Sequence, residues 1–104
     1  MQTNQETDNL EKYGRGGVEG RLLARFRRVL VAQTAALCPQ RLLDAGCGEG
    51  VATAWLAAAA PAAAVTGLEA RADARAAFAR ALPGATVLDG DIHALPFAEG
   101  AFDL

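Results

Sequence analysis

The chain has 104 residues, of which 52% are hydrophobic, and its 10 basic and 12 acidic side chains give a formal net charge of −2. This length allows one domain with a modest core, and the small negative charge argues against bulk electrostatic binding of nucleic acid. No stretch reaches the roughly 18 strongly apolar residues that a membrane-spanning helix needs. The two cysteines, Cys38 and Cys47, form neither a disulfide framework nor a spaced metal motif. We therefore expect no metal, no membrane partner and a cytoplasmic location.

The N-terminal third divides into a polar segment and an amphipathic helix. Residues 1–17 are polar and end in glycine, which predicts a flexible segment. Apolar residues then recur at helical spacing among arginines, which predicts a helix over residues 18–37. Its expected docking face consists of Leu22, Leu23, Phe26, Val29, Leu30 and Gln33. Pro39 ends this pattern.

The rest of the chain alternates between short apolar runs and alanine-rich segments. Strands are predicted at about residues 41–45, 63–68 and 85–88. Helices are predicted from Gly50 to just before Pro61, and over the segment "RADARAAFARAL" before Pro83. The last four residues, "AFDL", begin as a fourth strand would. This alternation predicts an α/β fold with a parallel sheet that is covered by helices.

The segment "LLDAGCGEG" places three glycines, Gly46, Gly48 and Gly50, between the first strand and the following helix. Glycine is costly in regular structure, so this density indicates a ligand that approaches the backbone closely. Open α/β sheets bind ligands at the carboxyl ends of their strands, where Asp44 could accept hydrogen bonds. The alternative is a tight turn between strand and helix with no ligand.

The glycine spacing differs from that of dinucleotide-binding proteins. Their G-x-G-x-x-G pattern has its third glycine five positions after the first, where this chain has Val51. The carboxylates of Asp44 and Glu49 would also repel a pyrophosphate and would accept a cationic ligand. A dinucleotide-binding oxidoreductase therefore stays only as a disfavoured alternative.

Two further acids follow the second and third predicted strands. Glu69 could accept hydrogen bonds from both hydroxyls of a ribose, or it could be a solvated cap of the next helix. Asp91 could accept a hydrogen bond from an adenine amino group, with Ile92 and Leu95 flanking the ring. The alternative for Asp91 is a turn-forming role after Gly90.

The motifs "LLDAGCGEG", "VTGLEA" and "DGDIHALPFAEGAFDL" occur in this order over roughly residues 41–104. Together they resemble the class I methyltransferases that use S-adenosylmethionine. The resemblance implies a Rossmann-like α/β fold, with a parallel sheet and flanking helices, that is truncated at the start of the fourth strand. It further implies that residues 18–104 are the N-terminal part of a methyltransferase domain and that residues 41–104 are its cofactor-binding half.

The resemblance also assigns positions along S-adenosylmethionine. The methionine part and the sulfonium would lie along Asp44, Gly46, Cys47, Gly48, Glu49 and Gly50. Glu69 would hold the ribose hydroxyls, with Ala70 and Arg71 beside the adenosine, and Asp91 and Ile92 would contact adenine. No catalytic base is implied among these residues, because the acceptor pocket of the family is formed mostly by segments that come after the fourth strand.

The function implied is methyl transfer from S-adenosylmethionine to an acceptor. The "LPFAEGAFDL" segment is common among small-molecule methyltransferases and favours a small-molecule acceptor. The alternative is a non-catalytic cofactor-binding fragment or subunit that needs a partner chain or a missing C-terminal half.

Overall fold

The computed structural model describes residues 17–104, which form three helices and one sheet of three strands. The elements are, in chain order, α1 (Gly17–Leu37), β1 (Arg41–Ala45), α2 (Val51–Ala59), β2 (Ala64–Leu68), α3 (Ala72–Ala81) and β3 (Thr86–Leu88). This alternation confirms the predicted α/β class. The flexible segment predicted over residues 1–17 lies outside the described residues, except for Gly17.

The sheet is parallel, with β2 between β1 and β3. Leu42 pairs with Val65, and Gly67 pairs with Val87. In this register the carboxyl ends of β1 and β2 meet at one edge of the sheet, where open α/β folds bind ligands.

The segment that was expected to begin a fourth strand lies beside β1. The backbone N–H of Asp103 donates to the carbonyl oxygen of Arg41 at 2.9 Å, and the N–H of Leu43 donates to that of Leu104 at 3.0 Å. Because β2 occupies the other edge of β1, these bonds place residues 103–104 along the opposite edge, where the described residues form no fourth strand.

The hydrophobic core lies between the sheet and the helices. Leu42 of β1, Val65 of β2 and Leu56 of α2 form one buried cluster, against which Leu30 of α1 packs. Phe78 of α3 is fully buried. This packing fixes the helices on the sheet and leaves the loops after β1 and β2 at the edge.

The predicted docking face of α1 is wrong at four positions, which are exposed: Leu22, Phe26, Val29 and Gln33. Leu30 does pack on the core cluster that includes Leu56 of α2, but the contact between the two helices also uses Arg27, which is outside the predicted face. There the guanidinium of Arg27 lies 5.2 Å from the ring centroid of Trp55. A cation over an aromatic face is a favourable contact, which the apolar periodicity does not reveal. Within residues 17–104, no helix is both long and apolar enough to span a membrane.

Candidate functional site

A cleft of about 270 Å3 opens at the carboxyl ends of β1 and β2. It is lined by Asp44, Gly46, Cys47, Gly48, Glu49, Val51, Ala52, Glu69 and Arg71. Seven of these residues, Arg71 among them, were named from the sequence as candidate contacts of the cofactor. Two others, Val51 and Ala52, come from the first turn of α2 and were missed, because small apolar residues there carry no chemical signal.

The glycine-rich loop is fastened to β2 through its backbone. The N–H groups of Gly46 and Cys47 both donate to the carbonyl oxygen of Leu68, at 2.8 and 3.1 Å. The N–H of Gly50 donates to the carbonyl oxygen of Cys47 at 3.1 Å. The loop therefore uses these N–H groups to hold its own shape.

All three loop glycines have positive φ, a backbone conformation that residues with a side chain rarely adopt. This explains why glycine is needed here. Gly46 and Gly48 have φ of 75° and 58°, and Gly50 has 92°. A Cβ on Gly50 would also lie 2.8 Å from the Cδ2 atom of Phe78, which is too close. Gly50 is not among the residues that line the cleft, and it shapes the entry into α2.

Glu69 joins the loops that follow β1 and β2. Its Oε1 accepts a hydrogen bond from the N–H of Gly48 at 2.9 Å, and its Oε2 accepts one from the N–H of Arg71 at 3.0 Å. Burial alone would raise the pKa of Glu69, but the hydrogen bonds from Arg71 and Gly48 hold it below its ordinary value. Glu69 is therefore a fixed, ionised acceptor at the cleft.

Asp44 lies deeper in the cleft and is oriented by α2. The hydroxyl of Thr53, which is fully buried, donates to Oδ2 of Asp44 at 2.6 Å. Burial raises the pKa of Asp44, and the Thr53 hydrogen bond opposes that rise. Thr53 was not identified from the sequence. Its signal is a single hydroxyl in an otherwise apolar first turn that follows a glycine loop.

Cys47 is a packed thiol at the base of the cleft. Burial raises its pKa to about 12, and the charges of Asp44 and Glu69 act in the same direction. Since the thiolate is the nucleophilic form, the neutral thiol of Cys47 is a poor nucleophile. The Sγ atom of Cys47 also packs closely against Gly67 of β2. A Cβ at Gly67 would lie only 2.6 Å from this sulfur.

Ala70 is exposed and does not line the cleft. Its carbonyl oxygen accepts a hydrogen bond from Nη1 of Arg75 at 2.8 Å. The same nitrogen donates to the carbonyl oxygen of Glu69 at 2.9 Å and to Oδ1 of Asp89 at 3.2 Å. Arg75, which was not identified from the sequence, thus ties the turn after β2 to the segment after β3.

Asp91 and Ile92 lie outside the lining of the cleft, and Ile92 lies beside the glycine loop. Oδ1 of Asp91 accepts a hydrogen bond from the N–H of His93 at 2.9 Å, so this carboxylate stabilises a turn. The Cγ2 atom of Ile92 lies 3.7 Å from where a Cβ on Gly46 would be. Ile92 is 54% exposed, so its side chain offers an apolar surface next to the loop.

The family model described as "Methyltransferase domain" matches residues 42–104. No curated protein matches the sequence. The chain is similar in structure to the plantazolicin methyltransferase BpumL in complex with SAH, with a TM-score of 0.62 and 19% identity over 95% of this chain and 39% of that one.

Two further structures have the same fold. For a methyltransferase from Geobacter sulfurreducens, the TM-score is 0.56 and the identity 23%, over 64% of this chain and 37% of that one. For the YcgJ protein from Bacillus subtilis, the TM-score is 0.59 and the identity 17%, over 73% of this chain and 36% of that one. The chain thus spans between a third and two fifths of the length of these proteins. Because the family model matches more than half of the chain and the shared fold is Rossmann-like, the chain belongs to the class I methyltransferase family.

Proposed function

We propose that the cleft binds S-adenosylmethionine and that this chain supplies the cofactor-binding half, residues 41–104, of an enzyme that methylates a small molecule. The observation that carries the proposal is the pairing of two features at the edge of the sheet. Carboxylates line the cleft. The N–H groups of Gly46, Cys47, Gly48 and Gly50 in the loop donate hydrogen bonds within the chain.

These features argue against a dinucleotide. A pyrophosphate is bound by N–H groups that point out of a glycine-rich loop and helix N-terminus. Here the N–H groups of Gly46, Cys47, Gly48 and Gly50 are all donated within the chain. The carboxylates that line the cleft would repel the phosphates as well.

The donor set fits S-adenosylmethionine, which carries a sulfonium, an ammonium group, a carboxylate and two ribose hydroxyls. Glu69 is placed to accept hydrogen bonds from the ribose hydroxyls. Asp44 and Glu49 provide negative charge for the cationic methionine end. Ile92, beside Gly46, offers apolar surface for the adenine. Asp91, which precedes Ile92 in the chain, is the polar residue next to it.

When bound, S-adenosylmethionine would supply a methyl group already activated by its cationic sulfur. The residues of this chain would bind and orient the cofactor, with Thr53 holding Asp44 and Arg71 holding Glu69. Positioning of this kind contributes much of the rate in transfer reactions. We assign no general base among the residues that line the cleft, since its carboxylates are assigned to the cofactor and the thiol of Cys47 stays neutral.

Two structures of one neighbour, BpumL, support the cofactor and the acceptor class. BpumL was crystallised with SAH, the demethylated product, and also together with a monoazolic desmethylPZN analog. A small-molecule acceptor is consistent with these complexes.

The free cysteines Cys38 and Cys47 are consistent with a reducing cytoplasm.

A non-catalytic binding module is the second candidate. It is favoured by the lack of an assigned general base among the residues that line the cleft. Such a module would hold the cofactor and pair with another chain or segment that supplies the acceptor pocket.

The proposal is tested by titrating the chain with S-adenosylmethionine and with NAD in a calorimeter. We expect S-adenosylmethionine to bind and NAD not to bind. Preferential binding of NAD, or no binding of S-adenosylmethionine, contradicts the proposal. Transfer of a labelled methyl group to a panel of small molecules then separates the enzyme from the binding module.

A further inference from the structure

Arg71 lies across the mouth of the cleft, between two carboxylates on different loops. Its Nε atom is 3.6 Å from Oε2 of Glu69, and its Nη2 atom is 3.9 Å from Oε1 of Glu49. The side chains of Glu49 and Glu69 are 7% and 12% exposed, whereas that of Arg71 is 42% exposed. The guanidinium is therefore an outer counter-ion for two largely buried acids.

The charge of the cleft depends strongly on this one side chain. The charged residues that line it are Asp44, Glu49, Glu69 and Arg71, which give a formal charge of −2. Without the guanidinium the formal charge is −3. Buried carboxylates are costly unless a cation compensates them, so Arg71 stabilises the cleft while it weakens its negative potential.

We propose that Arg71 is an internal counter-ion that sets how strongly the cleft prefers S-adenosylmethionine over S-adenosylhomocysteine. This inference rests on the proposed function. The two molecules differ by one methyl group and by the positive charge of the sulfonium. A more negative cleft favours the cation, and the positive charge of Arg71 reduces that preference. With Arg71 present, loss of the sulfonium charge on methyl transfer therefore weakens binding of the product less than it would without Arg71.

The ratio of the two dissociation constants isolates this effect. Any change in how Glu69 meets the ribose alters both ligands alike and cancels in the ratio, because both carry the same adenosine. A purely structural role of Arg71 would likewise leave the ratio unchanged. The ratio therefore reports the electrostatic potential at the sulfur.

The experiment is calorimetric titration of the chain with each ligand separately, for the parent and three variants. In Arg71→Gln, we expect the preference for S-adenosylmethionine to increase about three- to tenfold at low salt. We also expect this increase to shrink as salt is added. Arg71→Lys keeps the charge and should keep the parent ratio within about twofold. Arg80→Gln, in the last turn of α3, makes the same change in net charge away from the cleft and should also keep it.

Each outcome decides one question. An unchanged ratio in Arg71→Gln, with both ligands still bound by the parent, overturns the inference and leaves the proposed function standing. An equal change in Arg80→Gln also overturns it, because the effect would then depend on net charge alone. If the parent binds neither ligand, the proposed function fails and the inference fails with it.

Discussion

Glu69 accepts backbone hydrogen bonds from both loops that frame the cleft, and it is the acceptor proposed for the ribose hydroxyls. Glu69→Gln keeps the shape but replaces one acceptor oxygen with a donor and removes the charge. Because hydrogen bonds to charged groups contribute about 1.5–3 kcal/mol, we expect S-adenosylmethionine to bind roughly 10- to 100-fold more weakly. Calorimetry measures this directly. Unaltered affinity would remove Glu69 from the site.

The lowered pKa of Glu69 also predicts a pH dependence of stability. Since its pKa in the folded chain lies below the ordinary value of 4.5, its contribution is complete above pH 4.5. That contribution is lost as the pH falls through the lowered pKa. Urea unfolding of the parent and Glu69→Gln should therefore converge in acid. Curves that stay parallel down to the lowest pH would contradict this assignment.

The raised pKa of Asp44 predicts the opposite dependence of stability on pH. Its raised pKa means that the ionised form is less favourable in the folded chain, so stability is lost as the pH rises through that pKa. Asp44→Asn keeps an acceptor for the Thr53 hydroxyl and should raise the free energy of unfolding at pH 7 by about 1 kcal/mol. The same variant should bind S-adenosylmethionine more weakly. A destabilised Asn variant that binds normally would show that Asp44 is structural.

At the scale of elements, the turn from β1 into α2 depends on Gly50. Gly50→Ala imposes both the left-handed backbone strain and a contact of 2.8 Å with Phe78, so we expect a loss of about 2–4 kcal/mol in stability. The matched control is Gly84→Ala, where a Cβ would meet nothing within 4 Å. Chemical unfolding of both variants gives the difference. Equal stabilities would mean that the turn tolerates a side chain.

The junction between β1 and residues 103–104 is held by the carboxylate of Asp103. It accepts hydrogen bonds from the N–H groups of Gln40 and Arg41, at 2.9 and 2.8 Å, and these bonds lower its pKa. We expect Asp103→Ala to speed hydrogen exchange at Arg41 and Leu43, with Glu99→Ala as an exposed control in the same segment. Slow exchange in Asp103→Ala would show that the backbone bonds suffice alone.

At the scale of the whole molecule, the α/β alternation could be predicted because glycine and proline mark the ends of its elements. The cluster of Asp44, Glu49 and Glu69 could be predicted because parallel strands bring their carboxyl ends to one edge. The exposed side of α1 could not be predicted, since its contact with α2 uses Arg27 on Trp55. Thr53 and Arg75 were missed because their roles depend on contacts nine and fourteen residues away in the chain.

The central claim is that S-adenosylmethionine binds in the cleft between the loops after β1 and β2. The most direct measurement is a nuclear magnetic resonance titration of the 15N-labelled chain with S-adenosylhomocysteine, monitored at each backbone amide. We predict the largest shifts at Gly48, Glu69 and Arg71, because the amides of Gly48 and Arg71 bond the carboxylate that meets the ribose. Shifts centred instead on Trp55, which lines the grooves between α1 and α2, or no shifts at saturating ligand, would contradict the claim.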